Sequence, residues 1–182
     1  VGLGYSTNSG VLGAISFTQR NFSWTDTPDS FGEFIRGQSF KGAGQTFRIS
    51  LEPGTDLVRA RVEWREPYLF DRPISLGTSA YLFDRARDSY DERRVGAQAS
   101  LGRLFPNRWY AEVAPRVEGV NIADLDDDAP LEVEADKGSH LLASLRGTLV
   151  RDRTDSRWQP STGDRLSLYF EPTVGDDNFS TA

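Results

Sequence analysis

The sequence predicts an all-β fold, an antiparallel transmembrane β-barrel with about nine strands in this chain. Three observations predict it. Apolar and polar side chains alternate with period two in segment after segment. The connections alternate between tight turns and longer charged loops. Aromatic residues gather beside the tight turns.

Taken in chain order, a glycine-rich opening strand over 2–6 comes first. In the next, Val11, Ile15 and Phe17 oppose Ser16, Thr18 and Arg20; then Phe47, Ile49 and Leu51 oppose Thr46, Arg48, Ser50 and Glu52. The fourth is the clearest. Val58, Ala60, Val62 and Trp64 fall on one face, and Arg59, Arg61, Glu63 and Arg65 on the other, because successive side chains of a strand point to opposite sides. Ile74, Leu76, Ala80 and Leu82 then oppose Ser75, Gly77 and Ser79, and Val95, Ala97, Ala99 and Leu101 oppose Arg94, Gly96, Gln98 and Ser100. Trp109, Ala111, Val113 and Val117 oppose Tyr110, Glu112, Arg116 and Glu118. Leu141, Ala143, Leu145 and Leu149 oppose Ser144, Arg146 and Thr148. Leu166, Leu168 and Phe170 oppose Arg165, Ser167, Tyr169 and Glu171, after which the chain reads as a turn, with a tenth strand expected to begin near 178–182.

The connections at 71–73, 106–107 and 159–163 are short, whereas 86–92 and 123–138 are long and charged. The segment 23–42 is longer than a turn requires. Trp64, Tyr68, Phe70, Phe105, Trp109 and Trp158 all lie toward the short-turn side, where an interfacial girdle of amphipathic rings would sit. A soluble β-sandwich also accommodates alternating strands, but its outer positions face water and need no uniform chemistry. Here one face is almost free of charge, which favours hydrocarbon on that side.

Mean hydropathy is −0.50. In a barrel this average conceals the lipid face, because lumen residues cancel it. No stretch of 18 apolar residues is present, so no membrane-spanning helix is expected. The chain has no Cys, which removes disulfides and thiolate metal sites, and no Met, so it is expected to be part of a longer protein. A net charge of −6 argues against a nucleic-acid partner.

Seven of the 27 carboxylates lie in 124–136. Asp126, Asp127, Asp128, Glu132, Glu134 and Asp136 could offer calcium oxygen ligands, but their spacing matches no known calcium loop and a hydrated surface loop explains them. His140 is the single histidine and sits at a loop–strand border, where it reads as a solvated rim residue; neither a Ser-His-Asp triad nor a multi-histidine metal site is expected in this chain. The expectation is a protein that is no enzyme and takes no cofactor. Arg59, Arg61, Glu63, Arg65, Arg146, Arg151 and Asp152 are expected to face the lumen, pairing across strands with partners such as Glu112 and Glu118. Pore selectivity is the sharper alternative for them.

Four stretches, in order, resemble the barrel of the BamA-type outer-membrane protein assembly family, whose relatives include TamA and organelle barrel insertases. They are VGLGYSTNSG at 1–10, QRNF at 19–22, EPYLFDRPISLG at 66–77, and RDRTD at 151–155 with PSTG at 160–163 and Arg165-Leu166. The resemblance implies a barrel of about 16 strands, within the even-numbered range of single-chain barrels. Residues 1–182 would be the N-terminal portion of that barrel domain, with periplasmic domains and the remaining strands outside this chain. It places the short turns on the periplasmic side and 124–136 outside the cell. The family's VRGF motif is not seen; Ile35-Arg-Gly37 lies between the second and third strands and lacks the phenylalanine.

From its residues alone, the opening strand is one weakened by glycine. The resemblance implies more: Gly2, Leu3, Gly4, Tyr5, Ser6, Thr7 and Asn8 would form a lateral-gate strand that opens sideways so that a client strand adds to its edge. The implied location is the bacterial outer membrane. The implied partners are unfolded outer-membrane protein clients, accessory lipoproteins and outer-membrane lipids. A two-partner-secretion-type pore and a soluble sandwich binding module remain as alternatives.

Overall fold

The computed structural model describes residues 2–6, 10–87, 89–125, 137–156 and 158–175, and almost all of them belong to one antiparallel sheet. Its strands are β1 (Gly2–Ser6), β2 (Gly10–Phe22), β3 (Lys41–Glu52), β4 (Leu57–Glu66), β5 (Ile74–Ala86), β6 (Asp91–Phe105), β7 (Trp109–Ala123), β8 (Gly138–Asp152), β9 (Arg165–Phe170) and β10 (Thr173–Gly175). One short helix, α1 (Phe31–Ile35), lies between β2 and β3. Each strand up to β8 pairs with the next in sequence, and β9 and β10 both pair with β8.

β9 and β10 are one spatial strand. Phe170 lies opposite Gly147 and Thr173 opposite Ser144, the same register carried across Glu171 and Pro172. The Leu145 N–H donates to the Pro172 carbonyl, 3.2 Å away, so the ladder continues through the proline on its acceptor side. The sheet thus has nine strand positions, as predicted. The turn expected after Glu171 is instead further strand, and the tenth strand expected near 178–182 lies outside the described residues. Pro115 leaves a comparable mark in β7. Its missing N–H coincides with a gap in the β6 ladder between Gln98↔Arg116 and Leu101↔Val113, while pairing with β8 runs on through Pro115↔Leu145.

Burial inverts the pattern of a soluble domain. Glu92 and Glu118 are each only 6% exposed, whereas Val95 and Leu101 are 54% and 52% exposed. No second layer covers the apolar side among the described residues, so the sandwich alternative fails. On β8 the uncharged outward band runs from Leu141 to Leu149, close to the ~9–11 residues a tilted strand needs to cross hydrocarbon. Among the described residues, charges on that face lie toward the rims: Asp91 and Asp84 opposite Arg93 at one end, and Glu66, Arg103 and Arg151 at the other. No helix among the described residues is long and apolar enough to cross a membrane.

Candidate functional site

The polar face of the sheet is stitched by side chains that cross several strands. Tyr81 on β5, Gly96 on β6 and Glu118 on β7 occupy one transverse row. The Tyr81 ring lies so close over Gly96 that a Cβ there would sit 2.4 Å from it, and the phenol donates to a Glu118 carboxylate oxygen. A side chain at position 96 would push the Tyr81 ring out of this contact. A second slot repeats the device near the short-turn rim. Tyr110 passes over Gly102, where a Cβ would meet its hydroxyl at 2.1 Å, and donates to Glu112 Oε2 at 2.6 Å. An aromatic ring laid over a cross-strand glycine covers backbone that the glycine leaves bare.

Ion pairs extend the row on either side. Arg94 contacts Glu92 and reaches Glu118 at 3.7 Å, and Arg87 lies 3.7 Å from Glu92. Glu171 accepts from Arg146 Nη2 at 2.6 Å, Arg116 Nη2 at 3.1 Å and Ser144 Oγ at 3.0 Å. Nearer the chain start, Arg59 pairs with Glu52 at 3.3 Å and Arg61 with Glu63 at 3.8 Å. A recess of about 610 Å³ runs along this wall, with six arginines, Arg59, Arg61, Arg87, Arg94, Arg116 and Arg146, against Glu52, Glu92 and Glu118. The surplus of guanidinium makes the recess electropositive.

Of the residues predicted to face the lumen, Arg59, Arg61, Glu63, Arg65 and Arg146 share this face. Arg65 lines a neighbouring recess with Arg20, Arg48 and Glu63. Asp152 shares it too, opposite Arg165, and accepts from the Thr154 hydroxyl at 2.6 Å. Arg151 does not. It lies five residues from Arg146 on an unbroken ladder, and an odd spacing reverses the face. Arg151 stands instead opposite Trp109 on the outward side, its guanidinium 5.3 Å from the ring centre, as Arg103 stands 5.1 Å from Phe105. Both belong to the rim girdle, where an apolar stem and ring pack together and the charge reaches the interface. Tyr81, Glu92 and Arg94 were not singled out from sequence as members of a network. A Tyr and a Gly that face each other only once two strands are aligned leave no local signal.

The second candidate element is the first strand. Among the described residues, β1 meets β2 from Gly2↔Ala14 to Ser6↔Gly10. Thr7 and Asn8 lie outside the described residues, as do Asp126, Asp127, Asp128, Glu132, Glu134 and Asp136. No strand lies beside the other edge of β1 among the described residues. β2 is gripped on its far side by β3 from Ile15 onward, and Pro53 and Thr55 continue that pairing through backbone bonds to Gly13 and Val11. No group of three or more His, Asp or Glu able to hold a metal occurs among the described residues.

Residues 39–182 match the Omp85 superfamily domain. The outer membrane protein assembly factor BamA of Nitratidesulfovibrio vulgaris is 26% identical over 119 residues, 62% of this chain and 15% of that protein. The crystal structure of BamA from Haemophilus ducreyi lacking POTRA domains 1–3 superposes with a TM-score of 0.64 and 16% identity, over 94% of this chain and 33% of that one. The present chain thus spans about a seventh of the length of the first and a third of the second.

Proposed function

Because this chain belongs to the Omp85 superfamily and forms a wall of a bacterial outer-membrane β-barrel, we propose that it serves the assembly and insertion of other outer-membrane proteins. In this reading residues 1–182 are the N-terminal portion of the barrel domain, and periplasmic domains and further strands complete the protein. The observation that supports the mechanism is the composition of β1, where Gly2, Gly4 and Ser6 leave few bulky side chains and glycine weakens a strand interior. An edge strand softened by glycine parts more readily from its neighbour. It then presents unpaired N–H and C=O groups to an incoming strand. Those groups pair with any backbone, so the edge can template clients of unrelated sequence. The lumen-facing row of ion pairs holds the rest of the wall in shape while the edge opens.

The activity needs no cofactor and no covalent step. Its partners are unfolded barrel clients and outer-membrane lipids, with accessory lipoproteins as further candidates. The test uses the full-length protein in liposomes, with cysteines joining 2–8 to the last strand of the barrel. Client insertion is expected to fall to background when the disulfide forms and to return on reduction. Insertion unchanged in the locked form would overturn the templating edge. The arginine-rich recess favours a second reading, a translocation pore. Planar-bilayer conductance with anion selectivity, lost on Arg94→Gln with Arg146→Gln, would support that reading against the first.

A further inference from the structure

The segment joining β2 to β3 is far longer than a hairpin needs, and it is built. Ser30 caps α1, its hydroxyl accepting from the Glu33 N–H at 3.3 Å, while Glu33 Oε2 accepts from the Asp29 N–H at 3.0 Å. The helix ends at Gly37, φ +61°, with the Gln38 N–H donating to the Glu33 carbonyl at 3.0 Å, the bond that closes a helix on a left-handed residue. The return to β3 is tied by Phe40 N–H to Asp26 O at 2.7 Å and Lys41 N–H to Asp26 Oδ2 at 2.9 Å.

Where this segment leaves the wall decides what it meets. Phe22, only 5% exposed, stacks on Phe47 at 5.1 Å and Phe40 at 5.7 Å, and Trp24 closes the cluster at 4.8 Å from Phe22 and 6.0 Å from Phe47. Phe47 alternates in phase with Ile49 and Leu51 on the outward, hydrocarbon-facing side of β3. Gln19, in register with Phe47 on that face, donates to the Phe40 carbonyl at 2.9 Å. The root of the segment is therefore clamped to the lipid side of the barrel and not to its lumen. It also lies at the short-turn rim, in line with Trp64, whose indole N–H donates to Gln45 Oε1 at 3.1 Å. Trp24 at the root, and Phe31 and Ile35 beyond it, are well exposed.

We propose that residues 23–42 form an interfacial foot, with α1 lying on the membrane surface at the short-turn rim and Phe31 and Ile35 set into the boundary of headgroups and acyl chains. The occupant is lipid because the outward apolar band and the girdle run without a break into the root cluster, and a capped helix with an apolar side settles at such a boundary. A helix of five residues cannot span a bilayer and can only rest on one. The foot would pin the β2–β3 hairpin at a set depth in the membrane. It concerns placement in the membrane and is independent of whether clients are inserted.

The full-length protein, free of other cysteines and reconstituted in lipid nanodiscs, tests this with an environment-sensitive fluorophore on Phe31→Cys, Ile35→Cys or Asp29→Cys, and on Val62→Cys as a marker of the hydrocarbon band. Positions 31 and 35 are expected to be quenched several-fold more by a headgroup-proximal nitroxide lipid than by aqueous iodide. Asp29→Cys should show the reverse, and Val62→Cys should respond best to a nitroxide deep in the acyl chain. Iodide quenching at 31 and 35 equal to that at 29 would overturn the proposal. So would shielding of both from every quencher, which would mean that protein covers them.

Discussion

The wall from β5 to β8 and the first hairpin use the same alternating code, yet they are held together differently. Along the wall, β7 and β8 pair at every position from Trp109↔Arg151 to Ile122↔Gly138. Side chains such as Tyr81 and Glu171 then cross two or three strands to fasten it. In the first hairpin, three of the five described residues of β1 are Gly or Ser, and the strand has little side-chain mass to fasten it. Main-chain bonds come singly and are matched by water or a client strand, whereas a cross-strand network is lost all at once. In the proposed function, where one seam opens while the barrel keeps its shape, both constructions are needed.

The sharpest way to break the comparison is Gly96→Val. Its side chain would occupy the space of the Tyr81 ring and strand the buried Glu118, so the full-length barrel should lose about 2–3 kcal/mol. Urea unfolding in detergent, read by heat-modifiable gel migration, measures this, and an unshifted midpoint would show that the slot does not lock the wall. Glu171→Ala tests the ion pairs. Its arginines are 31% and 44% exposed, so a loss of about 1 kcal/mol is expected, shrinking in high salt. Gly4→Val works at the other region. It should stabilise the first hairpin by about 0.5 kcal/mol and slow client insertion, the opposite signs to the wall variants; faster insertion would contradict the soft edge.

The smallest effect is expected outside the membrane. The exposed Asp155 carboxylate accepts from the Ser161 hydroxyl, the Ser161 N–H at 2.9 Å and the Thr162 N–H at 3.2 Å, which holds it well below the usual carboxylate range. Bonds to the ionised form stabilise the turn at pH values above the unfolded value of about 3.9. That contribution disappears as pH falls through the lower folded value. Hydrogen exchange at Ser161 and Thr162 should stay slow in mild acid in the native chain and be fast at every pH in Asp155→Ala. Equal protection in both would show that the turn is held by other bonds.

Strand number and face were legible because burial on one side forces a two-residue period that no loop disguises. Val58 to Trp64 and Leu141 to Leu149 could be assigned by eye. Arg151 was misplaced because basic residues near a strand end look alike, and only counting from Arg146 along an unbroken ladder reveals the change of face. The segment 23–42 was opaque for a different reason. Its meaning depends on Phe22, Phe40 and Phe47 stacking, residues far apart in the chain whose rings meet only in the folded sheet.

By itself, then, the sequence determined an antiparallel sheet with one oily side, one ionic side and a glycine-softened beginning, because alternation and composition are local properties of a strand. Only the tertiary structure decided which tyrosine lies over which glycine, which carboxylate gathers two arginines, and on which side the β2–β3 segment emerges. Those facts depend on register between neighbouring strands, and register is a relation between distant residues that no single segment contains.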